Sequence, residues 1–178
     1  MSVPTEALFI GGRSGVGKSS VGNEIHAQLS AAGVRHCLIE GDYLDMAFPS
    51  TWEHGLAERN LAAMWANYRE LGYRRMIYTN TASVLDKVIE QLTTAMGDSP
   101  KVIGVLLTCA DDTAFRRLSR REVGSVLDAH LERSAAMARW LNSSCSRRVH
   151  RVATDDRSIA DIATEIIGLA DWRPPEAR

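Results

Sequence analysis

Apolar residues in this chain come in short bursts of two kinds. Ala7-Leu8-Phe9-Ile10 is a continuous apolar run, as in a strand covered on both faces. Lys18 to about Leu29 changes period: Val21, Ile25 and Leu29 recur at i+4, which predicts a helix ending at Ala32-Gly33. Arg35 to Ile39 reads as a second strand, delivering Glu40-Gly41-Asp42 at its carboxyl end. Tyr43 to Gly55 is aromatic, proline-bearing and poorly periodic. Leu56 to Leu71 is helical and Gly72 closes it. Arg75 to Tyr78 is a third strand running into Thr79-Asn80-Thr81, and Ala82 to about Met96 is helical. After the turn at 97–100, Lys101 to Thr108 is a nearly all-apolar fourth strand. Ala114 to Arg121 and Glu122 to Leu141 are helical, the first rich in arginine. Arg147 to Val152 is a weak fifth strand. Ser158 and Asp161 form a capping box for a last helix whose buried stripe is Ile159, Ile162, Ala163, Ile166 and Ile167. The polar tail 171–178, with Pro174-Pro175, is expected to be flexible.

Strand and helix alternate, so the expected architecture is α/β: a mostly parallel sheet with helices on both faces. Ligands of such folds sit outside the carboxyl ends of the strands. At 178 residues with 45% apolar content, one domain with a real core is expected. The net charge of -1 argues against an electrostatic trap for nucleic acid. No apolar stretch approaches a membrane span. Cys37, Cys109 and Cys145 are isolated, which disfavours a disulfide scaffold or a zinc knuckle. A cytoplasmic protein without membrane or nucleic-acid partners, monomeric or homodimeric, is the expectation.

The chemistry is concentrated in one motif. Gly12-Arg13-Ser14-Gly15-Val16-Gly17-Lys18-Ser19 is a complete G-x-x-x-x-G-K-S phosphate loop (Walker A), placed between a strand and a helix as the motif requires. Its glycines bring backbone amides close to phosphate oxygens, and the positive end of the following helix, from Lys18 through Ser20, faces the same anion. Lys18 is expected to reach the β- and γ-phosphates and Ser19 to ligate Mg2+, so ATP and Mg2+ are the expected cofactors. Asp42 follows a strand and is positioned to take a proton from an acceptor hydroxyl or to organise water around the metal. A helix cap is its plainer reading. Asp45, Phe48, Trp52, Arg59 and Asn60, with Thr79 and Asn80 at the end of the third strand, are candidate contacts of a small organic substrate. A hydrophobic cluster under a loop would give the same aromatic spacing. Arg116, Arg117, Arg120 and Arg121 pair at i+4 on two helix faces. One pair can close over phosphates, and a solvated helix face is the alternative.

These three segments, Gly12 to Ser19, Glu40-Gly41-Asp42 and the arginines after the fourth strand, resemble the small-molecule kinases of the phosphate-loop class. That group includes shikimate, gluconate, adenylylsulfate and adenylate kinases, chloramphenicol phosphotransferase and tunicamycin-resistance-like proteins. The likeness spans Leu8 to about Leu169. It implies a P-loop NTPase three-layer sandwich with a five-stranded parallel sheet of order 2-3-1-4-5. One domain would cover residues 1–170, with a short arginine-rich lid at about 113–124. It also implies that Asp42 contacts the acceptor hydroxyl and that Arg117, Arg120 or Arg121 binds phosphate. Arg116 or Arg117 would pack on adenine, and Asp155 in the loop after the last strand would border it. The expected activity is an ATP- and Mg2+-dependent phosphotransferase acting on a hydroxyl of a metabolite, nucleoside or antibiotic. Lys18, Asp42, Arg117 and Arg120 would be catalytic. A nucleotide-dependent regulatory ATPase or switch is the competing function.

Overall fold

The computed structural model describes residues 4–120 and 125–172. Five strands, β1 (Glu6–Gly11), β2 (Cys37–Glu40), β3 (Arg75–Thr79), β4 (Lys101–Thr108) and β5 (His150–Ala153), form one sheet of order β2-β3-β1-β4-β5. All neighbours are parallel, with Leu8 opposite Ile77 on one side and Ile103 on the other. The central position of β1 explains its unbroken apolar run. Leu8 and Ile10 enter one core while Ala7 and Phe9 enter the other.

Among the described residues six α-helices cover the two faces: α1 (Lys18–Ala31), α2 (Leu56–Glu70), α3 (Asp86–Met96), α4 (Asp111–Leu118), α5 (Ser125–Ser144) and α6 (Ile159–Ala170). On one face the α1 stripe of Val21, Ile25 and Leu29 packs with Ile162 and Ile166 of α6. Leu61 and Trp65 of α2, Leu92 and Met96 of α3 and Leu141 of α5 fill the other face. This is the three-layer α/β sandwich of a P-loop NTPase. Among the described residues no helix is long and apolar enough to cross a membrane.

Several boundaries move for identifiable reasons. The third helix starts at Asp86 rather than Ala82, because the Asn80 side chain accepts the Ala82 amide at 3.0 Å and holds 80–85 as turns. β2 starts at Cys37 rather than Arg35, and the His36 ring bonds back to the Val34 carbonyl at 2.7 Å. α4 is shorter than the arginine-rich segment, ending at Leu118. Ser158 caps α6 as expected, its hydroxyl accepting the Asp161 amide at 3.0 Å. Trp172, placed by its sequence context in a flexible tail, is instead buried at 1% exposure in the α1–α6 core. Residues 173–178 and the lid residues 121–124, including Arg121, lie outside the described residues.

Candidate active site

The loop joining β1 to α1 turns through three glycines with positive φ: Gly12 at 148°, Gly15 at 83° and Gly17 at 104°. The requirement at Gly12 is also one of space. A Cβ there would lie 2.8 Å from both the Leu107 carbonyl oxygen and a Val16 methyl. Gly17 precedes α1 and no side chain caps it, so the first amides of the helix are left to a ligand or to water. Lys18 is buried, and its Nζ donates to the Gly12 carbonyl at 2.9 Å, arching over the loop.

A crevice of about 450 Å3 opens above this loop. Ser14 to Ser20 form its floor, Asp42 lies on one side, and Arg117, Arg120, His130 and Arg157 lie on the other. Strand order explains the gathering. β1 and β2 are separated by β3, and the crevice lies at their carboxyl ends, as doubly wound sheets require.

The acceptor side is a hydrogen-bonded set. Asn80, just after β3, donates through Nδ2 to Asp42 Oδ1 at 2.7 Å. Partial burial pushes the Asp42 carboxyl above its ordinary range, and Glu40 and Asp45 add to this, while the Lys18 charge and the Asn80 bond pull it down. Asp42 and Asn80 are thus brought to one site. Thr79 is not. It is fully buried, and its hydroxyl donates to Glu40 Oε1 at 2.6 Å, a structural bond between β3 and β2. Asn60 is also occupied, donating to the Leu44 carbonyl at 2.5 Å and tying α2 to the turn after β2. Arg59 lines a groove between α2 and α3, away from the phosphate loop. Asp45 is half-buried, and Phe48 is fully exposed rather than packed as a wall. Trp52 stands in a short 3-10 turn, Trp52–His54.

The arginines divide. Arg117 straps the phosphate loop to the loop after β5: Nη1 donates to the Val16 carbonyl at 2.9 Å and to Thr154 Oγ1 at 3.0 Å, and Nη2 to the Thr154 carbonyl at 3.1 Å. Arg120 lines the crevice, while Arg116 bonds Thr113 at its outer rim. Arg13 is buried at 4% exposure and points out of the site, to Ser134 on α5 at 2.9 Å and to Asp111 on α4. Ser134 in turn donates to the Ser14 carbonyl at 2.9 Å. The side chain of Arg13 therefore anchors the loop from behind. Asp155 does not line the crevice. Its carboxylate accepts the Ala110 amide at 3.1 Å, at the start of α4, and its pKa is lowered chiefly by the Thr113 hydroxyl.

His130 and Arg157 were missed by sequence reading, while Thr154 belongs to the loop after the last strand that the resemblance places beside adenine. His130 and Arg157 lie in no motif, and α5 and the β5–α6 loop reach the crevice only through folding. Among the described residues no cluster of His, Cys, Asp or Glu is suited to a metal by itself. The donor set does fit Mg2+ carried with a triphosphate, since Ser19 stands in the first turn of α1 beside uncapped amides and Asp42 stands across the crevice.

No protein-family model and no curated protein sequence matches the chain. Solved structures do. The APS kinase of Mycobacterium tuberculosis, solved with AMPPNP and APS, is 21% identical, with a TM-score of 0.57 over 94% of this chain and 98% of that one. A gluconokinase from Sinorhizobium meliloti is 19% identical, with a TM-score of 0.60 over 96% and 94%. The tunicamycin resistance protein of Deinococcus radiodurans is 16% identical, with a TM-score of 0.66 over 96% and 99%. The fold is that of the P-loop kinases. The strand order is the one the resemblance implies, and the crevice lies over the phosphate loop at the strands' carboxyl ends.

Proposed function

We propose that this protein is an ATP- and Mg2+-dependent phosphotransferase acting on a hydroxyl of a small molecule. The observation that carries the reading is the opposition of Lys18 and Asp42 in one crevice, close enough for the Lys18 charge to lower the Asp42 pKa. The named activities of the solved neighbours support it. Phosphoryl transfer asks a protein for alignment and charge stabilisation rather than covalent chemistry.

Lys18 and the amides from Gly15 to Ser19 hold the phosphates, and Ser19 would hold Mg2+, which when bound supplies charge neutralisation on the β,γ-oxygens. Asp42 receives the acceptor's hydroxyl proton on a carboxylate oxygen, with Asn80 fixing its orientation. The acceptor oxygen bonds to the terminal phosphorus as the bond from that phosphorus to its bridging oxygen breaks, and the diphosphate leaves. Arg120 is placed to stabilise the developing charge, while Arg117 keeps the loop in shape. The catalytic role of Arg117 is thereby one of positioning.

The test is ADP release with Mg-ATP across pools of hydroxylated acceptors, with product mass read in the same wells. A product about 80 Da heavier than its acceptor, one phosphoryl group in place of a proton, is expected. ADP release that no acceptor changes would instead mark a regulatory ATPase or switch.

A further inference from the structure

A second concavity opens behind the phosphate loop. It encloses about 500 Å3, the size of a small-molecule site. The end of β4 and the start of α4 form one wall, α5 forms the other, and Arg151 of β5 closes the edge. It shares no lining residue with the crevice. Ser14 to Val21 and Asp42 line the crevice, and of the phosphate loop only Arg13 lines this groove. The backward turn of Arg13 creates the arrangement. Ser134 of α5 accepts from Arg13 Nε, and Ala138, Leu141 and Asn142 follow Ser134 at i+4, i+7 and i+8, on the same helix face.

Among the described residues three guanidinium groups line the groove against one carboxylate, that of Asp111. Arg13 takes this carboxylate through Nη1 and Ser134 through Nε, while its Nη2 has no hydrogen bond among the described residues. The residue is 4% exposed, so this idle donor belongs to a cation that is almost wholly out of water. Buried donors nearly always have a partner. Arg139, exposed on α5, has neither a hydrogen bond nor an ion pair among the described residues. Arg151 donates only to carbonyls, those of Val149, Asn142 and Cys145, at 3.3 to 3.5 Å, so no acid among the described residues neutralises it. Asp155 is bonded to the Ala110 amide and does not line the groove. Cys109 does line it, as a thiol whose pKa burial pushes up and which adds no negative charge. Leu106, Leu107, Ala138 and Leu141 supply an apolar wall.

We propose that this groove is a second ligand site and that it takes a small organic anion, its oxyanion head on Arg13 and Arg139 and its apolar body against the leucines. A guanidinium stays charged at any working pH and presents a planar fork that matches a carboxylate or phosphate head. The anion supplies the acceptor that Arg13 Nη2 lacks and a counter-charge for Arg139 and Arg151. An ammonium would meet three cations with one carboxylate already taken, and like charges brought together repel. A bare inorganic ion would leave the apolar wall uncovered. Exposed arginines alone are ordinarily solvated, so the argument turns on Arg13, which is buried and still has a donor to give. Its guanidinium also bonds Ser134, which holds the Ser14 carbonyl, so groove and crevice share one anchor.

The experiment is a chemical-shift titration of the full-length protein, alone and with saturating Mg-AMPPNP, using three probes that share one ring: phenylacetate, phenylacetamide and phenethylamine. A carboxylate probe is chosen because a phosphate would also enter the phosphate loop. Phenylacetate is expected to bind under both conditions, shifting the amides of Cys109, Ala110, Ala138 and Asn142 and leaving the nucleotide in place. Phenylacetamide should bind about tenfold more weakly, the worth of a charge-assisted hydrogen bond, and phenethylamine more weakly still. Arg139→Gln should weaken phenylacetate by about tenfold for the same reason. Asn142→Glu, which sets a carboxylate in the groove, should abolish its binding. Both positions are exposed, so both variants should keep the wild-type amide spectrum elsewhere. Arg74→Gln removes an equal charge just before β3 and should leave the Kd unchanged. No binding of phenylacetate overturns the proposal, as does a neutral or cationic probe that binds equally well. A Kd unchanged in both groove variants, shifts confined to Gly15 to Ser19, or displacement by Mg-AMPPNP also overturns it. No turnover is measured, so none of these outcomes touches the kinase reading.

Discussion

Asp42 is where chemistry and environment meet. Its carboxyl lies above the ordinary range because it is partly desolvated beside Glu40 and Asp45. A raised pKa suits a base that must take a hydroxyl proton near neutral pH. Asp42→Asn should lower acceptor-stimulated ADP release by about 10²–10⁴-fold, the usual worth of a general base. The acid limb of the wild-type pH profile should fall above the ordinary carboxylate range and vanish in the variant. A steady-state pH series on both proteins decides this. Arg117→Ala should act differently. It removes donors to the carbonyl of Val16 and to Thr154, so it should raise the apparent KM for ATP and also lower Tm. A variant with weaker kcat but unchanged Tm would show that the arginine works on the phosphoryl group rather than on the loop. Lys18, Ser19 and Asp42 were legible as residues of the crevice because a motif or a strand end announces them. The roles of Thr79, Asn60, Arg59, Arg13 and Asp155 were not. Each is polar at a plausible position, and only the identity of its hydrogen-bond partner or neighbour separates scaffold from site.

At the scale of elements, the junctions rather than the interiors carry the vulnerable contacts. Where α1 faces the start of β2, His26 Nδ1 and His36 Nε2 are 2.9 Å apart, and His36 Nδ1 is 2.7 Å from the Val34 carbonyl. A carbonyl only accepts, so Nδ1 of His36 carries a proton and Nε2 accepts from His26. Protonating His36 at Nε2 would set two donors against each other. Burial lowers the His36 pKa below 6.5, with the neighbouring His26 and Arg75 adding to it. The folded chain therefore binds fewer protons here than the unfolded chain. Stability from this pair is fully present above pH 6.5 and is lost as pH falls below it toward the lowered folded value. Thermal melts should show a drop in Tm between about pH 7 and about pH 5 that is smaller in His36→Gln. The β2–β3 junction makes a steric prediction. Gly41→Ala places a Cβ 2.4 Å from the Tyr78 ring, and it should cost about 1–3 kcal/mol in chemical denaturation by overpacking.

Over the whole molecule, two cores on either side of one sheet set stability, and the chain's end takes part in one of them. Trp172 is among the largest fully buried side chains and packs with Ile162, Ile166 and Leu29. Trp172→Ala should cost about 3–5 kcal/mol. For a chain of this size that corresponds to a fall in Tm of about 6–20 °C. A melt of the variant beside a chain shortened after residue 172 distinguishes the ring's packing from any contribution of the last six residues. The link between cores and site runs through Arg13, Ser134 and Asp111, which fasten the phosphate loop to α5 and α4.

The sequence alone determined the alternation of strand and helix, the phosphate loop and its glycines, and the position of Asp42 at a strand end. These are local or periodic properties, readable because a backbone that must turn tightly or bury one face restricts which residues can stand there. Only the tertiary structure decided which polar side chains share the crevice. It turned Arg13 backward, sealed Thr79 under Glu40, made Trp172 core, and brought His130 and Arg157 to the rim. It also seated Gly41 against the Tyr78 ring, residues far apart in the chain that meet because β2 and β3 are neighbours. A side chain's partner across the sheet is set by strand order and register, and neither is written in the spacing of residues along one strand.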